Sequence, residues 1–245
     1  MWLWFHKFGS PPHVYRIAGK ITPWFGWIGG ILIAAGVFGG LVLAPADYQQ
    51  GEGFRILYVH APSAWMSLFT YVVMAVAATI GLIWRMKVAY SVAASCAPIG
   101  AAFTAVALVT GSLWGKKMWG TWWEWDARLT SELILLFLYF GYMALRAAYD
   151  DQQRADRASA VLAMVGVVNI PIIHYSVVWW NTLHQPASVT KMAAPSIAPA
   201  MLVPLILMFF GFNIVFGALL FTRVRGEVLL RERGADWIRE LIGKS

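Results

Sequence analysis

The sequence predicts an all-α membrane protein that crosses a bilayer six times. Of its 245 residues, 60% are hydrophobic and only 13% are charged, and the mean hydropathy is +0.63. That is the composition of a lipid-embedded chain rather than of a water-soluble domain. Six apolar runs approach the length of about 20 residues that a helix needs to span hydrocarbon. The basic residues fall unequally on the two sides of those runs, as they do when a topology is fixed by charge.

The six runs are Trp24–Leu43, Ala61–Ile83, Val88–Leu113, Leu129–Leu145, Ser159–Trp180 and Pro199–Phe221. The third contains Pro98 and Gly100, so a kink or tilt is expected there. Together they make a single membrane domain: residues 1–23 as a cytoplasmic or interfacial N-terminal stretch, 24–222 as a six-helix bundle, and 223–245 as a cytoplasmic amphipathic tail. Met1 to Pro12 hold scattered Trp and Phe without a continuous apolar core or a small-residue cleavage site. That reads as an interfacial start rather than a cleaved signal peptide. In the tail, Val228, Leu229, Leu230, Trp237, Ile238, Leu241 and Ile242 alternate with charges, the pattern of a helix lying on a membrane surface or a partner.

Fourteen of the 19 basic residues fall on one side: Lys7, Arg16 and Lys20, then Arg85 and Lys87, then Arg146, Arg154 and Arg157, then six in the tail. The other side has five, Arg55, Lys116, Lys117, Arg128 and Lys191. The imbalance puts both termini in the cytoplasm. Three segments then face outward, at 44–60, 114–128 and 181–198. The net charge of +7 speaks to this orientation and not to nucleic acid. Cys96 is the single cysteine, which excludes an intrachain disulfide and a thiolate zinc cluster. The Cys-x-x-Cys-His attachment motif of c-type cytochromes is absent. Gly111 to Lys117 lacks the spacing of a phosphate loop. No catalytic triad or carboxylate pair stands out, so no independent enzymatic activity is assigned.

The outer segments carry the distinctive chemistry. Trp114 to Asp126 holds five of the chain's 14 tryptophans: Trp114, Trp119, Trp122, Trp123 and Trp125. An interfacial belt needs only a ring or two at each helix end, so this density suggests an aromatic platform for something flat. His60 closes the first outer segment, and His184 lies in the third. Topology puts the two imidazoles and the platform at one depth. A flat aromatic cofactor with a central metal suits that set, since haem iron takes two axial imidazoles and indoles suit the faces of its macrocycle. Arg55 and Arg128, with Lys116 and Lys117 behind them, are available for its propionates.

Plainer roles compete at each position. A lone His beside a helix end is more often a hydrogen-bonded interfacial residue. Read as a helix, Trp119, Trp122, Trp123 and Asp126 form one face that simply floats in the interface. Asp126 precedes the fourth run, where an N-cap is its default role. Arg128 and Glu132 stand four apart and suit an intrahelical pair. His174 lies within the fifth run as a satisfied helix residue. A membrane b-type cytochrome, a transporter subunit and a non-haem scaffold subunit of an ABC-type complex are the alternative functions.

The run Trp119-Gly120-Thr121-Trp122-Trp123-Glu124-Trp125-Asp126 resembles the tryptophan-rich signature of the haem-handling membrane proteins of cytochrome c biogenesis. The six-span layout, Tyr58-Val59-His60-Ala61-Pro62-Ser63-Ala64-Trp65 and the His184 segment are similar to its CcmC branch, and the resemblance covers almost the whole chain. It implies non-covalent binding of haem b at the periplasmic face of the bacterial inner membrane. It also implies His60 and His184 as axial ligands, and a platform of Trp114, Trp119, Trp122, Trp123, Trp125 and Asp126. The implied partners are the haem chaperone CcmE, which takes the haem covalently, the ABC-type subunits CcmA and CcmB, and the small CcmD.

Overall fold

The computed structural model describes residues 7–180, Thr182, His184 and residues 197–243. Most of the expected third outer segment, 181–198, therefore lies outside the described residues, as do His6 and the last residues of the tail. Helix α1 spans Pro11–Phe38 and continues as a π-helical turn over Gly39–Leu43. A 3₁₀ turn at Glu52–Ile56 leads into α2, Leu57–Trp84. Then come α3 (Lys87–Trp119), α4 (Ala127–Ala147), α5 (Gln152–Gly166), α6 (Asn169–Trp179), α7 (Pro199–Arg231) and α8 (Asp236–Ile242).

Six of the described stretches are long and apolar enough to cross a membrane, namely Pro11–Leu43, Glu52–Trp84, Lys87–Trp119, Ala127–Ala147, Gln152–Trp179 and Pro199–Arg231. The six-span, all-α class holds, with helices that outrun the apolar runs. Backbone groups near a bilayer are satisfied only inside a helix or a barrel, so helices continue into flanking sequence that hydropathy leaves out. α1 begins at Pro11, whose ring is tolerated in a first turn. α7 passes Phe221 without a break and takes in part of the expected tail.

α3 runs through Pro98 as one continuous helix. The fifth span breaks instead. α5 ends at Gly166, and Val167 and Val168 form a turn before α6. Pro171 accounts for this, because it has no N–H for the carbonyl of Val167 and its ring crowds that carbonyl. Asn169 steadies the break by donating from Nδ2 to Ser131 O on α4, at 2.9 Å.

α1 packs along α7. The seam is close because Gly29 faces Val215 and Gly211 faces Ile33; a Cβ at either glycine would sit 2.7 Å from the opposing side chain. The main core lies where α2, α3, α4 and the α5–α6 pair meet, around Met66, Tyr71, Cys96, Leu135, Tyr139 and Ile173. A smaller cluster of Ala44, Phe54, Tyr58, Met201, Leu205 and Met208 joins the α1–α7 pair to the start of α2.

Both described chain ends meet at one end of the bundle, opposite His60 and the Trp segment. Arg225 of α7 lies 4.5 Å from the Tyr15 ring centroid and donates to its hydroxyl at 3.1 Å, and Trp237 of α8 packs on Tyr15. Asp156 of α5 accepts two 2.7 Å hydrogen bonds from Arg231 of α7, with Arg146 of α4 at 3.5 Å. Asp156→Ala leaves Arg231 buried and half-paired, and is expected to cost about 3–5 kcal/mol of stability, read as a lowered unfolding midpoint in detergent.

Candidate functional site

The site is built at the end of the bundle away from those termini. His60 is not borne on a loop: it sits in the first turns of α2, because the 3₁₀ turn at Glu52–Ile56 starts the helix before the apolar run does. Its Nδ1 lies 3.1 Å from Ala107 O and 3.1 Å from Thr110 Oγ1, both on α3. Thr110 gives its own hydroxyl proton to Val106 O at 2.6 Å, and a carbonyl only accepts. Nδ1 must therefore be the protonated nitrogen, which leaves the Nε2 lone pair free to bind a metal. Gly111 makes room for the ring, since a Cβ there would lie 3.0 Å from His60 Cε1. Trp114 stands edge-on to the imidazole at 5.6 Å.

Trp114 is fixed in turn by the first outer segment. Its Nε1 donates to Gln50 Oε1 at 2.9 Å. Gln50 is placed by a tight turn in which Asp47 Oδ1 accepts from the backbone N–H groups of Gln49 and Gln50 at 2.9 and 2.8 Å. Gly51, with a φ of 57°, completes that turn.

The Trp-rich stretch is part helix and part irregular chain, not the single helical face that its spacing allows. α3 carries Trp114 and Trp119 and stops at Gly120, whose φ of 78° suits a residue without a Cβ. Trp122, Trp123 and Trp125 follow in irregular backbone that bends at Trp122. Thr121 Oγ1 steadies this segment by accepting from Trp123 N at 3.3 Å and donating to Trp123 O at 2.8 Å. Trp125 is 74% exposed and Trp122 57%, with Lys116 Nζ 5.9 Å from the Trp122 ring. Trp123 packs edge-on to Trp125 at 5.4 Å. Its Nε1 is buried with no partner among the described residues. Such a buried indole N–H wants an acceptor.

Asp126 does two jobs at once. Its Oδ1 accepts from Leu129 N at 2.8 Å and caps α4, the expected default role. Its Oδ2 lies 3.3 Å from His184 Nδ1. His184 is thereby held from behind by a carboxylate and packed edge-on against Trp119 at 5.0 Å. A carboxylate on one ring nitrogen fixes the tautomer and directs the other nitrogen outward, as in metal-binding histidines. Burial holds the His184 imidazole below its ordinary pKa; Asp126 opposes that shift, and Arg128 adds to it. The ring is therefore neutral at physiological pH.

The two arginines are placed differently. Arg55 binds the Glu52 carboxylate and donates to Gly40 O and, at 3.0 Å, to Ala44 O, closing the end of the first span. Arg128 donates from Nη1 to Ile173 O at 3.0 Å. His174 is exposed on α6, edge-on to Tyr175 at 4.8 Å. Sequence reading missed Ala107, Thr110 and Gln50, the groups that orient His60 and Trp114. No local motif marks them, because each acts across a helix–helix contact.

The heme exporter protein C family model matches residues 4–239. The chain belongs to that family. It is 52% identical over 244 residues to Heme exporter protein C of Escherichia coli K12, covering 100% of this chain and 98% of the relative. It is 51% identical over 241 residues to Heme exporter protein C of Haemophilus influenzae, covering 98% of each. A putative cytochrome c biosynthesis ccmC-like mitochondrial protein of Marchantia polymorpha is 44% identical over 198 residues, 81% of this chain and 84% of that one. The matched stretch includes both His60 and His184.

Proposed function

We propose that this protein binds haem b non-covalently at the periplasmic face of a bacterial inner membrane and presents it to the chaperone CcmE for cytochrome c maturation. One observation carries the reading. Two imidazoles at one end of the bundle each have Nδ1 engaged by the protein, by Ala107 and Thr110 for His60 and by Asp126 for His184. Each is left with Nε2 for an axial iron bond. The group when bound supplies a metal centre and a reactive ring edge. The protein's part is to hold it by His60 and His184, and to orient it on Trp114, Trp119, Trp122, Trp123 and Trp125. The orphan Trp123 N–H offers an acceptor on the ring's periphery a hydrogen bond. Arg128 is better placed than Arg55 for a propionate, because the nitrogens of Arg55 are already engaged with Glu52, Gly40 and Ala44. CcmA, CcmB and CcmD complete the assembly, and orientation of one ring edge toward CcmE is the contribution to its covalent capture.

Gentle purification is expected to yield a complex with a bis-imidazole absorption spectrum. Acidification is expected to release the haem. A free imidazole protonates near pH 6.5, and burial depresses that value for His184. The neutral, ligating form therefore persists below the ordinary value, and release begins only under more acidic conditions. A preparation without haem, or one keeping it unchanged in strong acid, would overturn the reading. The placement of His60 on a helix favours one rival, an electron-carrying b-type cytochrome. A redox titration coupled to quinol separates the two.

A further inference from the structure

Near its end α7 carries Arg223, Arg225 and Arg231. Two of them have partners in the protein: Arg225 donates to the Tyr15 hydroxyl, and Arg231 binds Asp156. The exposed guanidinium of Arg223 forms no hydrogen bond or ion pair among the described residues. Its depth follows from the next turn of α7, where Glu227 accepts from Arg146 at 3.1 Å. Arg146 lies in the last turn of α4, a helix of 21 residues and so about 31 Å long, close to the thickness of a bilayer's hydrocarbon. Arg223 therefore stands one turn inward of that end, at the boundary between hydrocarbon and headgroups. A cation at that depth is costly unless an anion meets it.

Arg223 also stands at the mouth of a groove of about 250 Å³ between α3 and α7, whose other walls are Pro98, Ile99, Ala102, Phe103 and Leu219. All five are apolar. Ala102, the smallest of them, is exposed, so the groove opens toward lipid. Away from Arg223 it is closed where Phe103 packs on Phe212 of α7, with ring centroids 5.9 Å apart. The groove thus runs from a blind apolar end within the bilayer to a cationic mouth at its surface. That polarity matches one phospholipid, tail inward and phosphate outward. The volume is below the about 300–1,000 Å³ of a pocket for a drug-sized ligand, which excludes a macrocycle but admits a length of acyl chain. A partner helix, about 10 Å across, is too wide to fill it.

We infer that the groove between α3 and α7 binds one anionic phospholipid from the leaflet at the termini end of the bundle, with an acyl chain against Pro98, Ala102 and Leu219 and the phosphate on Arg223. The site lies apart from the outer histidines, and the inference does not depend on the haem reading.

The test follows the full-length protein by native mass spectrometry in micelles doped with phosphatidylglycerol or with phosphatidylcholine of the same chains. Wild type should retain one phosphatidylglycerol about tenfold more strongly than phosphatidylcholine, the scale of one hydrogen bond between charged groups. Arg223→Gln removes the charge and should abolish that preference. Ala102→Phe keeps the charge but fills the groove, and should lower phosphatidylglycerol retention about tenfold. Both side chains face lipid, so both variants should unfold at the wild-type midpoint. Wild type without the preference overturns the inference, as does loss in only one of the two variants. If Arg223 merely snorkels to the bulk headgroups, Ala102→Phe retains lipid as wild type does. In a second arm, a diazirine side chain placed at Leu219 is photolysed in intact membranes. Phospholipid adducts are expected; capture of a protein in their place assigns the groove to a partner helix and also overturns the inference.

Discussion

Replacing His60 with alanine is expected to abolish the bis-imidazole absorption spectrum of the purified complex and to weaken haem retention by about a hundredfold or more, beyond the 10–100-fold typical of groups that merely orient a ligand. Alanine is a good helix former, and His60 lies in a regular helix, so the variant should reach the membrane at normal levels. What it loses is an Nε2 donor whose direction is set by Ala107 and Thr110 on the neighbouring helix. The space left beside Gly111 and Trp114 suits a free imidazole, and added imidazole should restore the six-coordinate spectrum. His184→Ala should lose the same spectrum. If both variants keep it unchanged, the ligand assignment is wrong. Thr110→Val makes a graded control: it removes one of two acceptors at Nδ1 and should weaken retention less than His60→Ala while leaving the spectral type intact.

The contrast between these variants shows what was readable from sequence. The two histidines and the tryptophans were visible as residue types, because their chemistry is intrinsic and their depth follows from hydropathy. Thr110 and Ala107 were not, since a threonine and an alanine in an apolar helix carry no signal until another helix is laid beside them. The same limit applies to Glu132. Sequence offers it Arg128 at four residues' distance, whereas the structure gives it Ser67, on another helix. The six spans were legible because lipid demands long apolar helices, while their ends were not, because those are set by caps and prolines. Pro171, not Pro98, breaks a helix. Gly120 turns the Trp stretch out of α3, so the helical stripe its spacing allows does not form.

Asp126 yields the second large effect, and its two oxygens allow the effect to be split. Asp126→Ala removes the cap on Leu129 N and the carboxylate behind His184 together. It should cost about 1 kcal/mol of stability through the cap and about 10–100-fold in haem retention through the imidazole. Asparagine caps helices about as well as aspartate, so Asp126→Asn should unfold at the wild-type midpoint. Its amide oxygen can still accept at Leu129 N, but a neutral group no longer draws on the Nδ1–H of His184 as a carboxylate does. The imidazole becomes a weaker donor to iron, and an iron(III) state that gains most from a basic ligand loses most from its absence. Asp126→Asn should therefore shift the haem reduction potential to more positive values and speed release, with no change in the unfolding midpoint. Equal losses of stability and haem retention in both variants would reduce Asp126 to a helix cap. A shift in potential with unchanged stability instead identifies the carboxylate as the group that tunes His184, which a cap cannot do from the far side of its own side chain.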